Sequence, residues 1–141
     1  FFFKQKTAYE IKECDWSSDV CSSDLESSDG PAMKRSVEAG SLQTIECNTI
    51  IDGLRVRRCG VPNFSVVQRF VDDIVTLPDT DIFDAMLWTM ERCKTVIEGA
   101  AAAPVAAMLH GLIKMPKGSR VVGVLSGGNV NLDQLRGLKW N

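Results

Sequence analysis

RVVGVLSGGN (Arg120–Asn129) decides the reading of the fold. Arg120–Leu125 is almost continuously apolar and rich in valine. A run of that kind, bounded by turn residues, suits a strand buried on both faces, as in a parallel sheet; a strand with one wet face alternates instead. The run ends in Ser126-Gly127-Gly128-Asn129. In open α/β sheets, ligands sit beyond the carboxyl ends of the strands, and Ser126 stands there. Its hydroxyl offers one donor and two acceptor lone pairs. The two glycines after it let a ligand approach the backbone. On spacing alone, the same four residues also fit an ordinary polar turn between strand and loop.

Outward from this run, the pattern alternates between helix and strand. Pro116-Lys117-Gly118 is a turn. Ala101–Leu112 reads as an alanine-rich helix whose small side chains suit close packing, with Pro104 acceptable only in its first turn. Gly99 separates it from a stronger helix that starts after Pro78. Asp79 or Thr80 is the expected cap of that helix, and Asp79 and Asp81 suit its positive end. Ile82, Met86, Met90, Cys93 and Ile97 recur at helical spacing and predict a core stripe. Ile74–Leu77 is a short β-rich run. Pro62–Phe70 predicts a helix with Phe64, Val67 and Phe70 on one face. Asp52-Gly53 is a turn after the apolar Thr49-Ile50-Ile51. Met33–Ala39 predicts a short helix stopped by Gly40 at C′. The expected class is α/β, with helices packed on a mostly parallel sheet.

Composition bounds the function. The chain has 141 residues, 45% of them hydrophobic, enough for one modest domain. A formal net charge of −2 excludes nucleic-acid or membrane-surface binding driven by bulk charge. Ala100–Ile113, interrupted by His110 and Gly111, is too short to span a bilayer. The five cysteines (14, 21, 47, 59 and 93) form no CxxC pair and have no zinc-like spacing. They read as reduced thiols of a cytoplasmic protein.

Residues 1–25 differ from the rest. They lack a sustained period and the apolar core of a signal peptide. KQKTAYEI (Lys4–Ile11) and DWSSDVCSSDL (Asp15–Leu25) resemble the conceptual translation of a sequencing adapter, with Lys12, Glu13 and Cys14 where its index varies. The expected organisation is therefore an artefactual or disordered leader, 1–25, followed by a catalytic-domain segment, 26–141. The leader holds three lysines against five acids, which accounts for the whole net charge; 26–141 is balanced at 13 bases and 13 acids.

Three sharper readings of the SGGN turn compete. A hydrolase nucleophile elbow needs G-x-S-x-G, but Val124 occupies the first glycine position and His110 is the only histidine. LSGGN is similar to the LSGGQ signature of ABC-type ATPases, but the chain has no GxxxxGK[ST] loop. The third reading rests on five blocks in order: MKRSVEAG (Met33–Gly40), TIIDG (Thr49–Gly53), FVDDIVTL (Phe70–Leu77), ERCKTVIEGAAAAPVAA (Glu91–Ala107) and VVGVLSGGNVNLDQL (Val121–Leu135). Together they resemble the C-terminal part of threonine ammonia-lyases (threonine dehydratases) and their relatives the serine racemases.

The resemblance implies a fold type II pyridoxal-phosphate enzyme, tryptophan synthase β-like in architecture. It implies β-elimination from L-threonine or L-serine to a 2-oxo acid and ammonia, with serine racemisation as the alternative within the family. Ser126 then takes the role of the serine that hydrogen-bonds the cofactor's pyridine nitrogen. A neutral hydroxyl leaves that nitrogen largely unprotonated and limits delocalisation into the ring, which favours loss of a β-leaving group. Gly127 and Gly128 shape the turn beside the ring, and Asn129 fixes the loop. Glu98 matches a glutamate near the ring, and Gly53 a turn glycine whose backbone lies close to the cofactor. Some family members hold a divalent cation; Glu26 and Gly30 match two ligand positions, but Ala32 replaces the third, a carboxylate. The Schiff-base lysine and the glycine-rich phosphate loop have no counterpart in 26–141. The expectation is a fragment, inactive alone, of an isoleucine-biosynthesis type or catabolic enzyme that is a homo-oligomer when whole. A non-catalytic α/β interaction or nucleotide-binding module is the reading from another class.

Overall fold

The computed structural model describes residues 23–114 and 116–137. Strand β1 (Ser23–Ser27) leads to helix α1 (Ala32–Glu38), a 3-10 turn (Asp52–Leu54) and helix α2 (Val61–Phe70). Strand β2 (Asp73–Leu77), helix α3 (Asp79–Cys93), helix α4 (Gly99–Leu109) and helix α5 (Leu132–Gly137) follow. β1 and β2 pair in parallel, with Leu25 opposite Val75 and Ser27 opposite Leu77. The crossover between them carries α1 and α2, as parallel strands require.

Alternation turns Ile74 and Leu77 to opposite faces of β2. Ile74 packs with Met33 of α1 and Val67 of α2. Leu77 belongs to a larger cluster with Ile82, Ala85 and Met86 of α3 and the alanines of α4. The sheet thus lies between two helical layers, the α/β arrangement expected. Helix α4 is the centre of the larger core: Ala101, Ala102, Ala103, Val105, Ala106 and Ala107 are all buried. A helix apolar all round belongs inside. Burying side chains such as Leu77 and Ile82 completely contributes about 1.5–3 kcal/mol each.

Helix α1 stops as expected. Gly40 adopts φ +66, its N–H donates to the Val37 carbonyl, and the Ser41 N–H donates to the Ser36 carbonyl. These are the two bonds of a Schellman motif.

Several expectations need correction. Arg120–Leu125 is not a strand: it has no ladder partner among the described residues, and Val122 is 89% exposed. An apolar strand needs neighbours for its backbone and cover on both faces; here only Gly123 is packed, against Pro104 and Met108 of α4. Neither Asp79 nor Thr80 caps α3. Pro78 holds the N-cap position with extended backbone, and Asp79, the first helical residue, turns inward. The core stripe of α3 is Ile82, Ala85, Met86 and Thr89; Cys93 is exposed, and Ile97 reaches the core from beyond the helix end, where Lys94 turns left-handed at φ 57. Helix α4 begins at Gly99, so Pro104 lies past its first turn. Phe70 is exposed, with the Arg69 guanidinium 5.0 Å from its ring centre. The boundary expected after Leu25 falls inside β1, where Leu25 packs on the core. Residues 1–22 lie outside the described residues.

Candidate cofactor site at the start of helix α4

The site grows from the end of α3. Lys94 breaks that helix, Ile97 drops into the core, and Glu98 holds extended backbone as the N-cap of α4. The Glu98 carbonyl accepts the Ala102 N–H, the first bond of α4. Its N–H and carboxylate turn the other way, to the loop after Ser126. The Glu98 N–H donates to the Gly127 carbonyl at 3.2 Å. The Asn129 N–H donates to Glu98 Oε2 at 3.1 Å. Gly127 adopts φ +108, and a Cβ there would lie 2.7 Å from both Cδ and Oε1 of Glu98. The glycine therefore meets two demands, a positive φ and a bare Cα against a carboxylate.

Gly53 comes to the same place from the 3-10 turn. A Cβ on it would lie 2.7 Å from Cβ of Ala100 and 3.5 Å from Oε1 of Glu98. Of the residues singled out by sequence, Gly53, Glu98, Gly127 and Gly128 converge here, separated by up to 75 positions in the chain. Ser126 adjoins them, exposed, and its hydroxyl has no partner among the described residues. Asn129 takes part through its backbone N–H.

Glu26 and Gly30 have other work. Glu26 Oε1 and Oε2 accept the N–H groups of Met33 and Lys34 at 2.8 and 2.9 Å, capping α1, whose own N-cap residue Pro31 has no polar side chain. Burial pushes the Glu26 carboxyl above its ordinary range, against the pull of those two donors. The Gly30 carbonyl accepts the Ala32 N–H at 2.9 Å. Among the described residues no three acidic, Cys or His side chains gather into a metal-binding group. The divalent cation is therefore not supported.

Sequence reasoning missed the most tightly bonded carboxylate. Asp79, buried at the start of α3, accepts Ser27 Oγ at 2.5 Å, Thr49 Oγ1 at 2.8 Å and the Ile50 N–H at 2.8 Å. It ties β1, the loop before the 3-10 turn and α3 together. Its partners lie 52 and 30 residues away, and no local motif marks them. His110 ends α4, with Nδ1 3.8 Å from Asp81 Oδ2. Arg55 pairs with Asp52 at 3.3 Å and donates to the Thr49 carbonyl, which makes it a loop brace. Burial, with Glu26 and Asp24 adding, pushes the Cys59 thiol up to about 11, so it stays protonated at neutral pH.

Residues 21–127 match the family described as "Pyridoxal-phosphate dependent enzyme". The chain belongs to this family. It is 37% identical over 106 residues to the L-threonine ammonia-lyase of Thermotoga maritima, a match covering 74% of this chain and 26% of that protein. It is 40% identical over 95 residues to a catabolic L-threonine dehydratase of Staphylococcus aureus, covering 66% of this chain and 28% of the other. Among solved structures, maize serine racemase superposes with a TM-score of 0.70 at 35% identity, over 79% of this chain and 37% of that one. The chain thus spans about a quarter of the length of the curated relatives it matches.

The pyridoxal-phosphate family reading agrees with what the residues can hold. A flat ring needs room beside the backbone, and its nitrogen takes a hydrogen-bonding partner, charged or neutral. Gly127, Gly128 and the exposed hydroxyl of Ser126 offer both.

Proposed function

We propose that this chain supplies the ring-nitrogen side of the cofactor site in a pyridoxal-phosphate-dependent L-threonine/L-serine ammonia-lyase. The carrying observation is the convergence of Gly53, Glu98 and the Ser126–Asn129 loop at the start of α4. Similarity to enzymes named for threonine deamination supports the substrate class.

The cofactor, when bound, supplies the electron-withdrawing ring that lets a bond at the substrate α-carbon break. Ser126 orients that ring through its nitrogen with a neutral hydroxyl. Gly127 and Gly128 keep side chains off the ring's edge. Gly53 brings bare backbone to the same place, beside Glu98. The substrate loses its α-proton and β-hydroxyl as water, and water then hydrolyses the imine tautomer of the released enamine, giving a 2-oxo acid and ammonia.

We assign residues 26–141 to the catalytic domain, together with Ser23–Leu25 of β1, which pair with β2, and we assign the residues before β1 to an artefactual leader. The cofactor-bearing lysine and phosphate loop lie in the part of the family's length beyond this chain. The isolated chain is therefore expected to turn over nothing, and the whole enzyme to be a cytoplasmic homo-oligomer serving amino-acid metabolism, including isoleucine biosynthesis. Among the described residues no helix is long and apolar enough to cross a membrane.

The test is release of 2-oxo acid from L-threonine and L-serine by the intact enzyme carrying this sequence. S126A should lower kcat/KM about 2- to 10-fold, the weight of one hydrogen bond between neutral partners. An intact enzyme releasing no 2-oxo acid from either substrate overturns the proposal. The likeness to maize serine racemase favours a second reading, in which L-serine yields mainly D-serine; the chirality of recovered serine separates the two.

A further inference from the structure

We propose that Glu98 is a positioning residue for Ser126: its backbone and carboxylate clasp Gly127–Asn129 and fix where the Ser126 hydroxyl stands. The inference rests on the cofactor reading above for its purpose, and on hydrogen bonding alone for its mechanism. From Arg120 to Val130, the two bonds to Glu98 are the only hydrogen bonds that join the segment to the rest of the molecule among the described residues. The neighbouring bond, from the Val130 N–H to the Gly128 carbonyl, is internal to the loop. No ladder supports the segment, and Val121, Val122, Val124 and Leu125 are exposed. Without the clasp, what holds this stretch among the described residues is the packing of Gly123 on α4, the approach of Gly128 to the Val96 carbonyl and the side chain of Val130 on the larger core.

The geometry is that of a clamp. One bond runs from the Glu98 N–H to the loop, the other from the loop to the Glu98 carboxylate. They close a ring through the Gly127 carbonyl, Gly128 and the Asn129 N–H, and the bare Cα of Gly127 lets the carboxylate lie against it. A carboxylate accepts a backbone N–H more strongly than a neutral oxygen does, and a negative side chain suits the first turn of the buried helix α4. The anchor is rigid because α4 is core. Ser126, one residue before the clamp, inherits that rigidity. Glu98 thus acts on the loop, and through the loop on the hydroxyl.

The test uses the full chain and amide hydrogen exchange read by NMR, with E98A and E98Q compared with wild type. In E98A the Asn129 amide should exchange about tenfold faster, the loss expected for one hydrogen bond to a charged acceptor. E98Q keeps an acceptor oxygen and should restore most of the protection. The Ile50 amide, held by Asp79, should stay protected in both, showing that the fold persists. In the intact enzyme, fluorescence titration with pyridoxal 5′-phosphate should show weaker binding for E98A and recovery for E98Q. Unchanged Asn129 exchange in E98A, or E98Q behaving as E98A does, overturns the clasp. If Asn129 exchange follows Glu98 but pyridoxal 5′-phosphate binds neither wild type nor variants, the clasp stands and the cofactor reading falls.

Discussion

Two carboxylates organise two different regions of this molecule. Asp79 is buried and accepts from three separate groups, two hydroxyls and one backbone N–H. Glu98 is half-buried and accepts from one backbone N–H at the edge of the structure. Each ties together segments distant in sequence. The first is enclosed by the sheet, α3 and a loop, so losing it costs the fold. The second holds a loop that little else holds, so losing it costs a position. Asp79 keeps the chain folded, whereas Glu98 places the hydroxyl proposed to meet the cofactor.

The largest effect should come from the buried side. D79A strands Ser27 Oγ, Thr49 Oγ1 and the Ile50 N–H without their acceptor, and unsatisfied buried groups cost about 1–3 kcal/mol each. The expected loss is about 3 kcal/mol or more, read as a lower urea midpoint at unchanged slope. A loss below about 1 kcal/mol would erase the distinction between the two carboxylates. At the edge, G127A forces a Cβ to within 2.7 Å of the Glu98 carboxylate on a backbone at φ +108. A left-handed backbone costs about 1–2 kcal/mol for a residue with a side chain. Here that cost should appear as opened Asn129 exchange and weaker pyridoxal 5′-phosphate binding, with the Ile50 amide still protected. A global drop in stability equal to that of D79A would place Gly127 in the core's account as well.

The smallest effect concerns a third carboxylate. The Glu26 carboxyl is raised above its ordinary value of 4.5, chiefly by burial. Between that value and the raised one, the folded chain binds more protons than the unfolded chain. Stability attributable to Glu26 therefore falls as pH rises through this window. In E26Q the fall should be shallower, measured by urea unfolding at a series of pH values from 4 upward. An identical pH dependence in E26Q would show that Glu26 does not differ between the two states.

Much of this was legible because it depends on local chemistry. Gly40 ends α1 for a reason confined to six residues. Gly53, Glu98 and Ser126-Gly127-Gly128 each stood out as chemistry-bearing positions, and the block resemblance put them in one family. Their mutual contact was not legible, because it arises from folding the chain back on the start of α4. Asp79 read as a cap because caps are local; its actual partners lie across the sheet. The apolar run Arg120–Leu125 misled because a strand is made by neighbours as much as by its own residues. Ser23-Asp24-Leu25 misled for the converse reason: parallel pairing uses backbone N–H and carbonyl groups, so a polar segment pairs with β2 whatever its side chains suggest.

The role proposed for Ser126 is to meet the pyridine nitrogen of the cofactor with a neutral hydroxyl. It is tested most directly by the 15N chemical shift of ring-labelled pyridoxal 5′-phosphate bound to the intact enzyme. The expected result is an unprotonated pyridine shift in wild type and a move to the pyridinium range in S126D, where a carboxylate would hold the proton. A pyridinium shift already present in wild type, or one indifferent to S126D, would contradict it.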